Sequence, residues 1–185
     1  MKKLIMLVVA AMMVTVSASA QNDDPKNEIG VYYGLGSCSD LVSIVGHAFG
    51  SALGDQSSFW GPVGVEYYYH VTPVVALGAM ASIAGCEWGD SGNFKTKFYT
   101  VMPAVKFNWL RRNHFGMYSG VALGFMHVTD KYSGPDKNRY EDDSVTTFMA
   151  HGTAIGIEFG GALRGFGEVG FGERGLLCLG LRYKF

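Results

Sequence analysis

The sequence predicts an all-β fold: an eight-stranded antiparallel up-and-down transmembrane β-barrel. Three observations predict it. Beyond Ile29 apolar residues recur with a period of two in about eight segments, and no apolar window approaches the roughly 18 residues of a transmembrane helix. The links between those segments alternate between short and long, an asymmetry of membrane barrels. The face opposite the apolar one is crowded with small residues; glycine makes up 26 of the 185 residues, about twice its roughly 7% average. Small side chains suit the interior of a tube in which eight strands leave little room.

A leader precedes the barrel. Met1, Lys2 and Lys3 make a short basic start, Leu4 to Val16 is almost wholly apolar, and Ser17-Ala18-Ser19-Ala20 supplies the small residues of a signal-peptidase site. That apolar run is too short to span a bilayer, which takes roughly 20 residues. The expectation is a secretory signal over residues 1–20, cut before Gln21, then a short segment at 21–27 and the barrel at 28–185. Removing Lys2 and Lys3 leaves 13 of the 15 basic residues against 16 acidic ones, a charge of −3 that gives no electrostatic basis for binding nucleic acid.

The strands are expected at residues 28–36, 59–71, 74–86, 96–110, 115–129, 145–159, 163–173 and 176–185. In the second, Val63, Val65, Tyr67, Tyr69 and Val71 face away from Gly64, Glu66, Tyr68 and His70. The fourth sets Tyr99, Val101, Pro103, Val105, Phe107 and Trp109 against Thr100, Met102, Ala104, Lys106 and Asn108. In the last, Leu177, Leu179, Leu181, Tyr183 and Phe185 alternate with Cys178, Gly180, Arg182 and Lys184. The apolar face thus takes odd numbers, and even numbers carry Gly78, Gly120, Ala122, Gly124, Gly152, Ala154, Gly156 and Gly170. A soluble barrel would show a charged exterior, so the odd face is assigned to lipid. Odd-numbered aromatics cluster at the strand ends as two girdles: Tyr67, Tyr69, Phe107, Trp109, Phe115, Phe159, Tyr183 and Phe185 at one, Phe59, Tyr99, Phe125 and Phe171 at the other.

The even face also holds charge. Glu66, Glu158 and Glu168 balance Lys106, Arg182 and Lys184, and because an unpaired buried charge is prohibitively costly these six should pair inside the tube. Turns centred near 160–163 and 174 would set Glu158 opposite Phe166 and Phe166 opposite Arg182. Tyr32, Tyr68, Met80, Met102, Tyr118, Met126 and Phe166 would fill the remaining space, leaving a plugged lumen rather than a small solute pore.

The long links are Ser37 to Ser58, Glu87 to Lys95 and Asp130 to Asp143. In the first, apolar positions 41, 44, 45, 48 and 49 after Asp40 fit a short capped helix. Cys38 and Cys86 lie at the same end and form a candidate disulfide, while Cys178 points into the lumen. The five histidines have no metal-ligand spacing, so neither metal nor cofactor is expected. His127 and His151 are expected as cross-strand neighbours.

The final Gly180-Leu181-Arg182-Tyr183-Lys184-Phe185 resembles the sorting signal of Gram-negative outer-membrane barrels, with Leu181, Tyr183 and Phe185 as its apolar positions. The whole mature chain resembles the small OmpX/OmpA-like barrel family, without a peptidoglycan-binding domain. That resemblance implies insertion by the barrel assembly machinery, contact with outer-membrane lipid and lipopolysaccharide, and extracellular ligands at loops 37–58 and 130–143. A monomer with a structural or surface-interaction role, adhesion or envelope integrity, is the expectation, and not an enzyme. The alternative is a lipid A-modifying enzyme: His127, Thr129 and Glu141 are similar to the histidine, hydroxyl and acid of PagL-like deacylases, with threonine in place of serine.

Overall fold

The computed structural model describes residues 25–37, 58–88, 94–132 and 143–185. The leader, Cys38, the helical stripe at 41–49 and Glu141 lie outside the described residues. Eight strands, β1 (Asn27–Leu35), β2 (Ser58–His70), β3 (Val75–Trp88), β4 (Phe94–Arg111), β5 (Phe115–Tyr132), β6 (Asp143–Gly160), β7 (Leu163–Gly172) and β8 (Leu177–Lys184), pair antiparallel in chain order and close into a barrel. Closure runs from Glu28 opposite Lys184 to Leu35 opposite Leu177. The wall is uneven: β4, β5 and β6 have 18 residues each and β8 only 8.

The period of two sorts side chains as anticipated along most of the wall. Val65, Leu77, Val101, Leu123, Leu179 and Leu181 stand outward, each about half exposed, while Tyr32, Tyr68, Met80, Met102, Tyr118, Met126 and Phe166 are buried inside. Small residues are required where these rings lie across the wall. A Cβ on Gly64 would strike the Tyr32 ring, and one on Gly156 the Tyr118 ring. One inner apolar cluster gathers around Tyr68, Met80 and Met102; a second, toward the end away from the termini, joins Ala84, Cys86, Phe98 and Met126.

Register irregularities correct the sequence reading at three places. Between Trp60 and Val63 both Gly61 and Pro62 turn inward, so Trp60 rather than Phe59 faces out and Phe59 packs on the Met126 cluster. On β6 the ladder slips between Thr153 and Ile155. Ala154 and Ile155 are both exposed, and upstream of them His151 and Thr153, not Gly152 and Ala154, enter the lumen. A bulge puts two residues against one and reverses the parity beyond it. The third correction is at the β7–β8 connection, which spans Glu173 to Leu176 instead of a tight Arg174-Gly175 turn. Phe166 consequently faces Gly180, and Arg182 faces Arg164.

Candidate functional site

Among the described residues, ionisable side chains gather in the lumen. Alternation on β1, β2, β4, β6, β7 and β8 aims Glu28, Glu66, Lys106, Glu158, Arg164, Glu168, Arg182 and Lys184 inward, and all are buried. Arg182 sits at the centre, its Nε 2.8 Å and Nη2 2.5 Å from Glu66 Oε1 and its Nη1 3.0 Å from Glu158 Oε2. Phe166 stacks 4.2 Å from its guanidinium. Lys184 Nζ lies 2.8 Å from Glu28 Oε1 and 2.5 Å from Glu158 Oε1. Lys106 donates to Glu28, which also pairs with His70 Nε2 at 2.6 Å. All six residues expected to pair are brought together by this network; Glu168 joins through Tyr118 Oη, 2.6 Å away, and Arg174 Nη1, 3.2 Å away.

Sequence reasoning missed other members. Glu28, His70 and Arg164 sit at even positions on strands, so the parity rule already in use would have found them. Arg164 Nη1 donates to Glu158 Oε1 at 2.8 Å. Arg174 is different: it belongs to the β7–β8 connection, which folds back so that Leu176 N donates to Leu35 O, and its guanidinium drops into the barrel. There it meets Glu66 Oε2 at 2.8 Å and covers the Tyr32 ring at 4.0 Å. No periodicity marks a residue that enters from a turn. With Glu173 also buried, five carboxylates and five strong bases balance among the described buried residues.

Charges in a low-dielectric interior survive only when paired and hydrogen-bonded. Most carboxylates here have two or more cationic neighbours, and the cations link carboxylates on different strands. Arg182 alone ties β8 to β2 and β6. The arrangement joins the walls across the tube.

The remaining candidates separate. His127 stands on the outer face, its Nδ1 2.9 Å from Thr146 Oγ1 rather than held by Thr129, which lies opposite Lys97 and Ser144. His151 is buried opposite Ala122, so the two histidines are not neighbours; the β6 bulge turned His151 inward. Cys86 is buried on the inner face of β3, and Cys178 lies 3.5 Å from Arg174 Nη2. Leu181 faces outward, and Tyr183 stacks on Phe185 at 5.9 Å. Among the described residues no three His, Cys, Asp or Glu side chains gather as a metal site.

No protein-family model matches the chain, and no curated protein matches it. Its fold is shared with solved structures. Ail, the attachment invasion locus protein of Yersinia pestis, in complex with the heparin analogue sucrose octasulfate, superposes with a TM-score of 0.51 at 11% identity, over 88% of this chain and 100% of that one. The same protein in a phospholipid bilayer nanodisc gives 0.50 at 13% identity over the same shares. The N-terminal β-barrel domain of Pseudomonas aeruginosa OprF gives 0.47 at 12%, again over 88% and 100%.

Proposed function

We propose that this chain is an integral outer-membrane protein of a Gram-negative bacterium, monomeric, with a plugged lumen and a structural or surface-interaction role borne by its loops. One observation carries the reading: a closed barrel whose outer wall is apolar and whose interior is a charge-balanced network. Val101 is 61% exposed, Phe125 64% and Leu181 53%, on β4, β5 and β8, and outward apolar side chains such as Val31, Val65, Leu77, Phe148 and Val169 continue the band on the other strands. In water so large a continuous apolar surface would drive association; against acyl chains it is at home. Aromatics bound this band at both ends, Phe115 and Phe159 at the end near the termini, Phe125 and Phe148 at the other.

In this reading residues 1–20 direct export, Leu181, Tyr183 and Phe185 present the chain to the barrel assembly machinery, and the termini face the periplasm. Loops 37–58 and 130–143 then face outward, where lipopolysaccharide and extracellular ligands are met. The paired lumen supports structure over conduction. Catalysis is no part of the proposal: His127 bonds Thr146 rather than Thr129, so the histidine and hydroxyl of the deacylase alternative are not paired.

Expression with the leader in a Gram-negative host, followed by gels of unheated and boiled outer-membrane fractions, tests it. A heat-modifiable band confined to that fraction is expected, together with no resolvable conductance in planar bilayers. A soluble species without a heat shift would overturn the membrane assignment, and nanosiemens conductance would overturn the plug.

A further inference from the structure

The turn between β4 and β5 has features that the barrel alone does not require. Residues Arg111, Arg112, Asn113, His114 and Phe115 line an open cleft of about 530 Å³ at the end of the barrel that carries the termini. Four of those five side chains are basic or polar. The other two turns at this end, at residues 71–74 and 161–162, carry no charged side chain, so among the three turns here the basic side chains belong to the β4–β5 turn, with exposed Lys26 the further base before β1.

The turn is also tied down from behind. Arg164, anchored on Glu158, donates through Nη2 to Arg112 O and Asn113 O, each at 3.0 Å. Arg111 Nη2 donates to Pro25 O at 2.7 Å, and Gly160 N to His114 O at 3.1 Å. The turn's acceptor oxygens are therefore occupied toward the protein, while the side chains of Arg112, Asn113 and His114 stay exposed. A cleft with its carbonyls drawn inward and its donors left outside selects for an anion.

Depth chooses among anions. Only three residues separate β4 from β5, so the cleft stays close to the wall. Outward Trp109 is 57% exposed and Phe159 60%, and Phe115 packs on Phe159 at 4.9 Å. Such rings sit at the boundary between acyl chains and headgroups. We propose that the β4–β5 turn is a docking site for the phosphate of an acidic phospholipid in the leaflet facing the periplasm. It rests on the outer-membrane reading above.

Trp109 is a built-in reporter, its indole Nε1 fixed on Ser119 Oγ at 3.1 Å. The mature chain carrying Trp60→Phe and Trp88→Phe is refolded into phosphatidylcholine vesicles containing equal mole fractions of brominated phosphatidylglycerol or brominated phosphatidylcholine. The enrichment of the acidic lipid beside Trp109 is expected to be about fivefold, the factor that about 1 kcal/mol of attraction for one exposed arginine gives. It should disappear in an Arg112→Gln, His114→Gln double variant, whose turn keeps its backbone bonds to Arg164. Equal quenching by the two lipids in a band that is still heat-modifiable overturns this proposal alone, as does an excess that survives the double variant. Arg112-dependent co-sedimentation with purified peptidoglycan, without lipid excess, would assign the cleft to the wall polymer instead. Loss of the heat shift in the parent would overturn the barrel reading itself.

Discussion

Replacing Arg182 with methionine, which keeps a side chain of similar length and removes the charge, should destabilise the barrel by about 3 kcal/mol, the low end of the roughly 3–5 kcal/mol typical of breaking a buried pair. The low end follows from the structure. Glu66 loses its contacts at 2.8 and 2.5 Å but keeps Arg174 at 2.8 Å, and Glu158 keeps Arg164 at 2.8 Å and Lys184 at 2.5 Å. No carboxylate is left wholly alone, yet the five-to-five balance of the lumen becomes five to four. The assay is urea unfolding of the refolded barrel in lipid vesicles, followed by tryptophan fluorescence, with Lys95→Met as the control. Lys95 pairs with Glu87 at 3.0 Å, but the two side chains are 44% and 50% exposed. Such a surface pair contributes less than about 1 kcal/mol. Equal effects from Arg182→Met and Lys95→Met would refute the claim that the lumen network holds the walls together. A double variant with Glu66→Gln should recover part of the loss, because the two changes share one contact.

Gly156→Val should prevent formation of the heat-modifiable band, since its Cβ would strike the Tyr118 ring, whereas Gly152→Ala should fold normally, with nothing within 4 Å of the added methyl. Leu123→Arg, at an outward position 54% exposed, should cost about 2–4 kcal/mol in vesicles, the range for arginine at the bilayer midplane; a neutral outcome would place that face in water. Lipid A from cells overexpressing the protein should keep its full complement of acyl chains by mass spectrometry. Deacylation that is abolished by His127→Ala would reinstate the enzyme.

The strand order, the closure and the outward apolar face were legible because a period of two is imposed by strand geometry itself and needs no knowledge of partners. What the period cannot see is where it breaks. The extra residue at Ala154–Ile155 reverses the inside-outside sense of the rest of β6, which is why His151 was set beside His127 and is instead buried opposite Ala122. The Gly61-Pro62 irregularity misplaced Phe59 for the same reason. In the lumen, charges on regular strands were readable, and Glu28 and Arg164 obeyed the rule that found Glu66. Arg174 could not be found this way, because a side chain folded inward from a connection has no position in the alternation. The turn holding it is built on glycines at positive φ, Gly172 at 126° and Gly175 at 95°, which mark a tight chain reversal without revealing its direction.

The network's bases are unevenly placed along the chain. Among the described residues, Arg174, Arg182 and Lys184, three of five buried strong bases, belong to the segment from 174 to 184, whereas the five buried carboxylates precede them. Of those described buried charges, the chain up to Glu173 carries five acids against Lys106 and Arg164, and it lacks the β8 that pairs with β1. Neutralising the interior and sealing the seam are therefore tasks of one segment, Arg174 to Lys184. A chain truncated before Arg174 should leave both tasks undone, with its carboxylates in excess and the β1 edge without its β8 partner.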